Sequence, residues 1–599
     1  MSFVRHHPLL LSLISGLVFF TNLGGYSLFD EDEPKNAVCG FEMFERGDWI
    51  VPTFNAELRT DKPILIYWWM QLSYRTFGVS EFSARFGSSL LSVGTVLLTY
   101  YVGRKLYSYQ IGFLAGVILA TCLMFSAVGR AVTPDSTLIF CIMCTFAAYV
   151  WAVSKRRGGH FSGDALSATA TPWTELVPAS NLTALPMYAA MGMAILAKGP
   201  IGVLLPCTII GLYLLVTARQ SELASGELAA PTGSWWLRWP KSVLQVMRPW
   251  RILQVGLGMR LILGAIVVLA VALPWYVVVG LKTDGAWLRG FLGDHNVGRF
   301  LEPKENHSGP IFYYAVVLML GCFPWSVFLP LAVWNLRTRL KSGSSWSDSD
   351  RLLACWAGAW FVFFSFARTK LPNYVLPMYP ALALVLARYL YEWTTQTAGS
   401  GMISFRYACR AMAVVGVLII VGIPIASSIL FPGEQALGLI GTVPLIGGTL
   451  AYMASRRELR WRAVQTIGGT AVLLATLLVG VAPTYIGRHQ DSPQLADAAR
   501  QVSGNPRPTI ANIDVFSPSL IFYARKPVQG LRKPDDVTTF FETHPDGFVV
   551  TRADRLDRLP IEENRLVEVS RCRRFLRRYD VVLLARDPIV EGRADVVRR

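Results

Sequence analysis

Apolar runs long enough to cross a bilayer recur along the chain as far as about Tyr485, separated by short polar and basic breaks. The first, Pro8 to Phe29, follows Arg5, His6 and His7. No small-residue cleavage site comes after it and further runs do, so it reads as a transmembrane helix and not as a cleaved leader. The next three run from Phe82 to Val102, Ile111 to Val128 and Ser136 to Val153. A short pair follows, Leu185 to Leu196 and Ile201 to Val216, broken at Lys198-Gly199-Pro200. Leu261 to Gly280, Ile311 to Leu336, Leu352 to Phe366, Tyr374 to Leu390, Met412 to Leu430, Ala436 to Met453 and Val464 to Tyr485 bring the expected spans to thirteen.

The basic clusters give these spans a direction. Arg104-Lys105, Lys155 to Arg157, Arg337 to Lys341 and the RRELRWR of Arg456 to Arg462 all fall on one side, the cytoplasmic one by the positive-inside rule. The N-terminus is then cytoplasmic and the C-terminus extracytoplasmic. Trp/Arg mixtures between Arg219 and Arg260 read as an interfacial segment.

From about Ile486 the pattern changes. Charges become dense, and TIANIDV, LIFYA, GFVVTRA and DVVLLA read as strands between helical or loop segments. The expected architecture is an all-α polytopic membrane domain over residues 1–485 followed by a small soluble α/β domain over residues 486–599. The second domain carries no phosphate loop, nucleophile motif or metal spacing, which favours a stabilising or docking role over an activity of its own.

Composition sharpens this picture. Only 16 % of the 599 residues are charged, 53 % are hydrophobic, and the mean hydropathy is +0.40, which excludes a soluble multidomain protein. The net charge of +17 comes from 57 basic against 40 acidic residues, and the basic ones cluster between spans. That is a membrane-topology signal, so no nucleic-acid partner is expected. Nine cysteines are scattered, with one close pair, Cys141 and Cys144, inside an apolar run; they read as packing residues.

Candidate chemistry lies in the loop between the first two spans, residues 27–78 on the extracytoplasmic side. Four consecutive acids, Asp30 to Glu33, stand at its start, and like charges so close are costly unless something offsets them. Gly47-Asp48-Trp49 and Pro52 mark turns, and Asp61-Lys62-Pro63 precedes the aromatic belt Tyr67-Trp68-Trp69. Carboxylates and a lysine at headgroup depth point to chemistry on a lipid headgroup, with a carboxylate orienting or deprotonating an acceptor hydroxyl and cations neutralising a departing phosphate. Arg299 in DHNVGRF and Lys370 in RTKLPNYVLP fall on the same side, against the positive-inside rule, and so favour an anion.

These motifs resemble the bacterial branch of the GT-C membrane glycosyltransferases, the family of the lipid A aminoarabinose transferases (ArnT) and the dolichyl-phosphate-mannose protein mannosyltransferases. Asp32-Glu33 with AVCGFEM, then GDWIVPTFN, DKPILIYWW and EFSARF, match the family's first extracytoplasmic loop in order. GRAVTPDSTL, LAKGPIG, LPWY, HNVGRF to HSGPIFYY, FPWS and SFARTKLPNYVLP continue the match to Pro377. The resemblance implies an inverting enzyme of the cell envelope. It would move a sugar from a polyprenyl-phosphate donor to a lipid A, glycan or protein acceptor at the outer face of the cytoplasmic membrane. By the same carry-over Asp32, Glu33 and Asp135 are the catalytic acids, while Lys35, Lys62, Arg299, Lys370 and Tyr374 cradle the donor, with His295 and His307 nearby. Where many relatives carry Arg-Tyr after the acid pair, this chain has Lys35-Asn36, and Lys62-Pro63-Ile64 replaces Lys-Pro-Pro. A cofactor is not required, and a divalent cation stays open, because some members use one and others do not; Asp32 and Asp135 would be its oxygen ligands.

The rival reading is a transporter or flippase of lipid-linked sugars. Its expected marks are midplane ionisable residues and internal repeats. Here the acids sit in a boundary loop and no repeat is evident, although the break around Lys198 is a feature it would share.

Overall fold

A computed structural model describes residues 5–29, 31–161, 171–230, 234–297, 309–341, 348–395 and 402–587. Every predicted span contains a helix. Eight helices are long and apolar enough to cross a membrane, among them Glu81–Leu106, Pro134–Arg156 and Leu261–Lys282. Two bent pairs raise this to ten: Tyr109–Thr121 with Leu123–Arg130, at 66°, and Tyr313–Gly321 with Trp325–Arg339, at 118°. His7–Phe20, Asn181–Lys198 and Asp348–Phe366 are helical but do not reach that measure, so the described residues give eight to ten spans by length and composition, and the expected thirteen is not confirmed. One reason is local: the last of them starts on Asp348, Asp350 and Arg351, all buried among other polar groups.

Sequence sets the helix limits visibly. Ser80 accepts from Ser83 N–H while the Ser83 hydroxyl accepts from Ser80 N–H, a reciprocal cap that starts Glu81–Leu106. Ser180 and Thr183 start Asn181–Lys198 in the same way. That helix stops at Gly199, whose φ of +83° no side chain tolerates easily, and Ile201–Ala224 follows. The break therefore falls at the predicted Lys198-Gly199-Pro200.

The bundle has two differently charged ends. At one, Arg157 meets Asp348 at 2.9 Å, Arg351 meets Asp348 at 3.2 Å, and Arg388 pairs with Asp350 and Glu392. These are the ends of the helices that the basic clusters assign to one membrane side. At the periphery Met402–Leu430 turns Val417, Leu418, Val421, Ile425 and Ile429 outward, exposed side chains suited to lipid and not to water.

At the opposite end residues 27–78 form structure where a loop was expected: helices Asp32–Arg46 and Leu65–Phe77 flank a small hairpin, β1 (Thr53–Phe54) and β2 (Glu57–Leu58). Gly47 in the left-handed region closes the first helix. The hairpin turn is Asn55-Ala56, both with positive φ, +54° and +64°, as a two-residue turn of type I′ requires.

The C-terminal sheet has five strands in the order β4-β3-β5-β7-β6: β3 (Ile510–Asn512), β4 (Gln529–Gly530), β5 (Phe548–Arg552), β6 (Leu566–Arg573) and β7 (Asp580–Arg586). TIANIDV, GFVVTRA and DVVLLA supply β3, β5 and β7 as expected. LIFYA does not form a strand; it lies in helix Pro518–Ala524, with Leu520 to Ala524 all buried. The reason is topological: β3 and β4 run parallel, and a parallel pair needs a crossover that a helix supplies. The two-residue β4 and the charge-rich β6 were not anticipated.

This sheet domain grips the 27–78 segment. The Tyr523 hydroxyl accepts from Leu28 N–H at 3.0 Å, Arg525 donates to the Val79 carbonyl at 2.9 Å, and Arg507 pairs with Glu45 at 2.8 Å. Asn55 does more, because its amide accepts from Val528 N–H at 2.8 Å and donates to Val528 C=O at 2.9 Å. Asn55→Ala removes both bonds and strands two part-buried backbone groups. It is expected to cost about 1–3 kcal/mol, read as faster amide hydrogen exchange at β1, β2 and residues 526–530 than in wild type.

Candidate active site

Two of the four clustered acids face different environments. Glu33 is buried, and each of its oxygens accepts twice: Oε1 from Arg85 Nε at 3.1 Å and Val132 N–H at 3.0 Å, Oε2 from Arg85 Nη2 at 2.8 Å and Phe29 N–H at 2.7 Å. Arg85, fully buried, spends its remaining donors on the carbonyls of Leu23, Tyr26 and Ser27. All five guanidinium hydrogens are therefore used, and the pair ties the segment after the first helix to Glu81–Leu106. Asp32 is exposed in the first turn of its helix, where the dipole favours an anion. Asp30 lies outside the described residues.

Behind Asp32 the same helix carries Lys35, paired with Glu31 at 2.9 Å, and Asn36, which donates to the Val132 carbonyl at 2.7 Å and accepts from Arg59 Nη2 at 3.0 Å. Arg59 is buried, and its Nε and Nη1 make no hydrogen bond among the described residues. Its Nε stands 3.7 Å from Asp61. Burial works against this charge, but Tyr67, Cys39, Asp61 and Asp32 around it hold the guanidinium pKa above its ordinary value. A buried cation with unused donors beside two carboxylates is prepared for an oxyanion or a sugar hydroxyl.

Next to this set opens a cavity of about 540 Å³ between the helices. Its lining combines apolar side chains, including Leu138, Leu204, Phe291, Trp360 and Phe364, with the polar Asp61, Lys62, Asp135, Lys198, Arg368, Asn373 and Tyr374. Asp135 is buried, with Oδ1 2.5 Å from Lys198 Nζ and Oδ2 accepting from Asn373 at 2.9 Å. Lys198 also sits 5.4 Å from the centre of the Tyr374 ring. A cavity that combines apolar surface with a mixed acid–cation set suits a phosphate carried on a long hydrocarbon.

Of the residues singled out from sequence, Lys62, Asp135 and Tyr374 line this cavity; Asp32 does not line it, and its link to the cavity runs through Arg59, which feels the charges of Asp32 and of the lining Asp61. Glu33, Lys35 and Lys370 do not line it. Lys370 is buried and donates to the Ser365 carbonyl at 2.7 Å, with the Tyr314 ring 5.7 Å away; in its segment Arg368 is the cation at the cavity. Arg299, His307 and the side chain of His295 lie outside the described residues. Arg59, Lys198 and Arg368 were missed. Lys198 and Arg368 sit in quoted motif stretches, LAKGPIG and SFARTKLPNYVLP, where a cation in an apolar surround was the available signal, whereas Arg59 falls between GDWIVPTFN and DKPILIYWW.

No group of three or more His, Cys, Asp or Glu able to hold a metal occurs among the described residues, and both oxygens of Asp135 are already engaged. The described residues do not assemble a divalent-cation site, and no step below uses one.

The chain is similar to known membrane glycosyltransferases in sequence and fold. Residues 61–171 match the family model described as dolichyl-phosphate-mannose-protein mannosyltransferase. The chain is 28 % identical over 486 residues to the undecaprenyl phosphate-alpha-4-amino-4-deoxy-L-arabinose arabinosyl transferase of Edwardsiella ictaluri, covering 78 % of this chain and 76 % of that one. It is 26 % identical over 511 residues to the protein of the same name from an Enterobacter species, covering 82 % and 79 %. The crystal structure of ArnT from Cupriavidus metallidurans bound to undecaprenyl phosphate superposes with a TM-score of 0.70 at 22 % identity, covering 96 % of this chain and 97 % of that one. Over most of its length the chain is thus similar in sequence to the arabinosyl transferases and shares its fold with ArnT.

Proposed function

We propose that this enzyme moves a sugar from a polyprenyl-phosphate donor, of the undecaprenyl-phosphate kind, to an acceptor hydroxyl on a glycolipid, glycan or protein, with inversion at the anomeric carbon. The observation that carries the reading is the cavity that combines apolar side chains with Lys62, Lys198, Arg368, Asp61 and Asp135. The hydrocarbon lies against the apolar side chains, and the cations stabilise the phosphate as the glycosidic bond breaks. Asp32, exposed in the first turn of its helix, takes or orients the acceptor proton. Asp135 holds Lys198 in place through its ion pair, and Arg59 adds donors between Asp32 and Asp61. Glu33 fixes the backbone that presents Asp32. The reaction site faces the extracytoplasmic side of the cytoplasmic membrane, with the N-terminus cytoplasmic and residues 486–599 forming an extracytoplasmic domain.

The test is release of free polyprenyl phosphate from a panel of polyprenyl-phosphate sugars by the purified full chain, with membrane extract as the acceptor source. Acceptor-dependent release from one donor supports the transferase. No release from any donor, with donor binding intact, favours a transporter or flippase.

A further inference from the structure

Two adjoining cavities, of about 720 and about 440 Å³, lie in the seam between the sheet domain and the end of Met402–Leu430. Both are walled by the turn between β6 and β7, which reads Arg574-Phe575-Leu576-Arg577-Arg578-Tyr579. The other wall of the smaller cavity includes Ile429 and Leu430, the last residues of the helix that turns apolar side chains outward. The turn therefore sits at the depth where that helix leaves the bilayer.

Its side chains divide by role. Phe575 is wedged between Phe29 and Phe431, with ring centres 5.9 and 5.8 Å away. Arg574 is an internal strut, bound to Asp491 at 2.6 Å and to the Phe516 carbonyl at 3.1 Å. Leu576, by contrast, is 58 % exposed on a backbone with φ of +56°, an uncommon conformation for leucine. Arg573, Arg577, Arg578 and Arg488 are exposed around it, and none forms an ion pair with a carboxylate among the described residues. The acids nearby are already engaged: Glu31 by Lys35, Asp491 by Arg574, and Glu434 by His489 at 3.5 Å.

A second observation points into the same seam. Gln490 lines the larger cavity, is 4 % exposed, and its Nε2 has no hydrogen-bond partner among the described residues. A buried amide donor left unused costs stability unless something arrives to accept from it. Arginines that form no ion pair among the described residues, an outward leucine at the end of a lipid-facing helix, and a waiting buried donor are together the recognition chemistry of an amphipathic anion, even with Glu31 in the field of Arg577.

We infer that this seam seats the phosphate headgroup of an anionic membrane lipid, with Arg577, Arg578 and Arg488 supplying the charge, Gln490 donating to a headgroup oxygen, and the acyl chains lying along the exposed face of Met402–Leu430. This lipid is distinct from the donor, whose cavity lies among other helices. The inference needs only that Met402–Leu430 crosses the bilayer, so a protein inactive in transfer would still show it.

The full chain in mild detergent is titrated with short-chain phosphatidylglycerol, with phosphatidylcholine of the same chains, and with inorganic phosphate, and bound lipid is counted by native mass spectrometry. Each basic residue at an anionic surface is worth about fivefold in affinity, so Arg577→Gln/Arg578→Gln is expected to weaken phosphatidylglycerol binding about 25-fold. Phosphatidylcholine binding stays unchanged, and Arg558→Gln, an exposed arginine elsewhere on the domain, leaves both lipids as in wild type. Gln490→Leu is expected to weaken phosphatidylglycerol about tenfold while its melting temperature holds or rises. A merely structural glutamine would not separate the two readouts. Equal affinity for the two phospholipids, or undiminished phosphatidylglycerol binding in the folded double variant, overturns the inference. Inorganic phosphate binding as tightly as phosphatidylglycerol overturns it too, because the site then takes a free anion.

Discussion

Asp32→Asn is expected to lower sugar transfer by about 10²–10⁴-fold, the usual contribution of a positioned general base, while binding of undecaprenyl phosphate stays close to wild type. The substitution keeps the side chain's shape at an exposed helical position, so the fold has no reason to change. What is lost is the acceptor of the proton and the negative charge opposite Arg59. In the proposed function the phosphate is held by other groups, the cations Lys62, Lys198 and Arg368 at the cavity, so affinity and turnover are expected to separate. The measurement is single-turnover release of polyprenyl phosphate beside equilibrium donor binding. Retained turnover in a folded Asp32→Asn protein would move the catalytic role to another carboxylate, with Asp61 and Asp135 the ones at the cavity.

Glu33, one residue further on, is expected to behave in the opposite way. Removing its charge leaves Arg85 buried and uncompensated, and breaking a buried pair of this kind costs about 3–5 kcal/mol. Glutamine keeps one acceptor oxygen, so two of the four accepted hydrogen bonds are lost, one from Arg85 and one from the backbone of Phe29 or Val132, and the new NH2 group faces their donors. Glu33→Gln should therefore lower the melting temperature and the yield of monodisperse protein. The double replacement Glu33→Leu/Arg85→Met should recover part of the loss by removing both charges. Recovery stays partial because the Leu23, Tyr26 and Ser27 carbonyls still lack their donor. A Glu33→Gln protein that melts as wild type does but has lost turnover would instead make Glu33 part of the chemistry.

The contrast between these adjacent acids shows where reading the chain reached its limit. Helices in a bilayer are legible from sequence because every backbone group must be satisfied within the segment, which forces long apolar runs. Every predicted span accordingly contains a helix, and the Lys198-Gly199-Pro200 break falls where glycine ends one. The motifs from Asp32 to Pro377 likewise carried the resemblance, and the similarity to the arabinosyl transferases follows it.

Roles within the site were not legible, because they depend on which distant side chains arrive. Asp32 and Glu33 look alike in the chain, and only Arg85, 52 positions from Glu33, makes one of them a strut. Arg368 and Lys370 stand two residues apart, yet only Arg368 lines the cavity. LIFYA has the pattern of a strand but forms a helix, because strands β3 and β4 on either side run parallel. Local sequence fixes which segments are apolar and where they must stop. Pairing across the bundle, through burial and hydrogen bonds that no local pattern encodes, fixes which charged group is held and which is left to act.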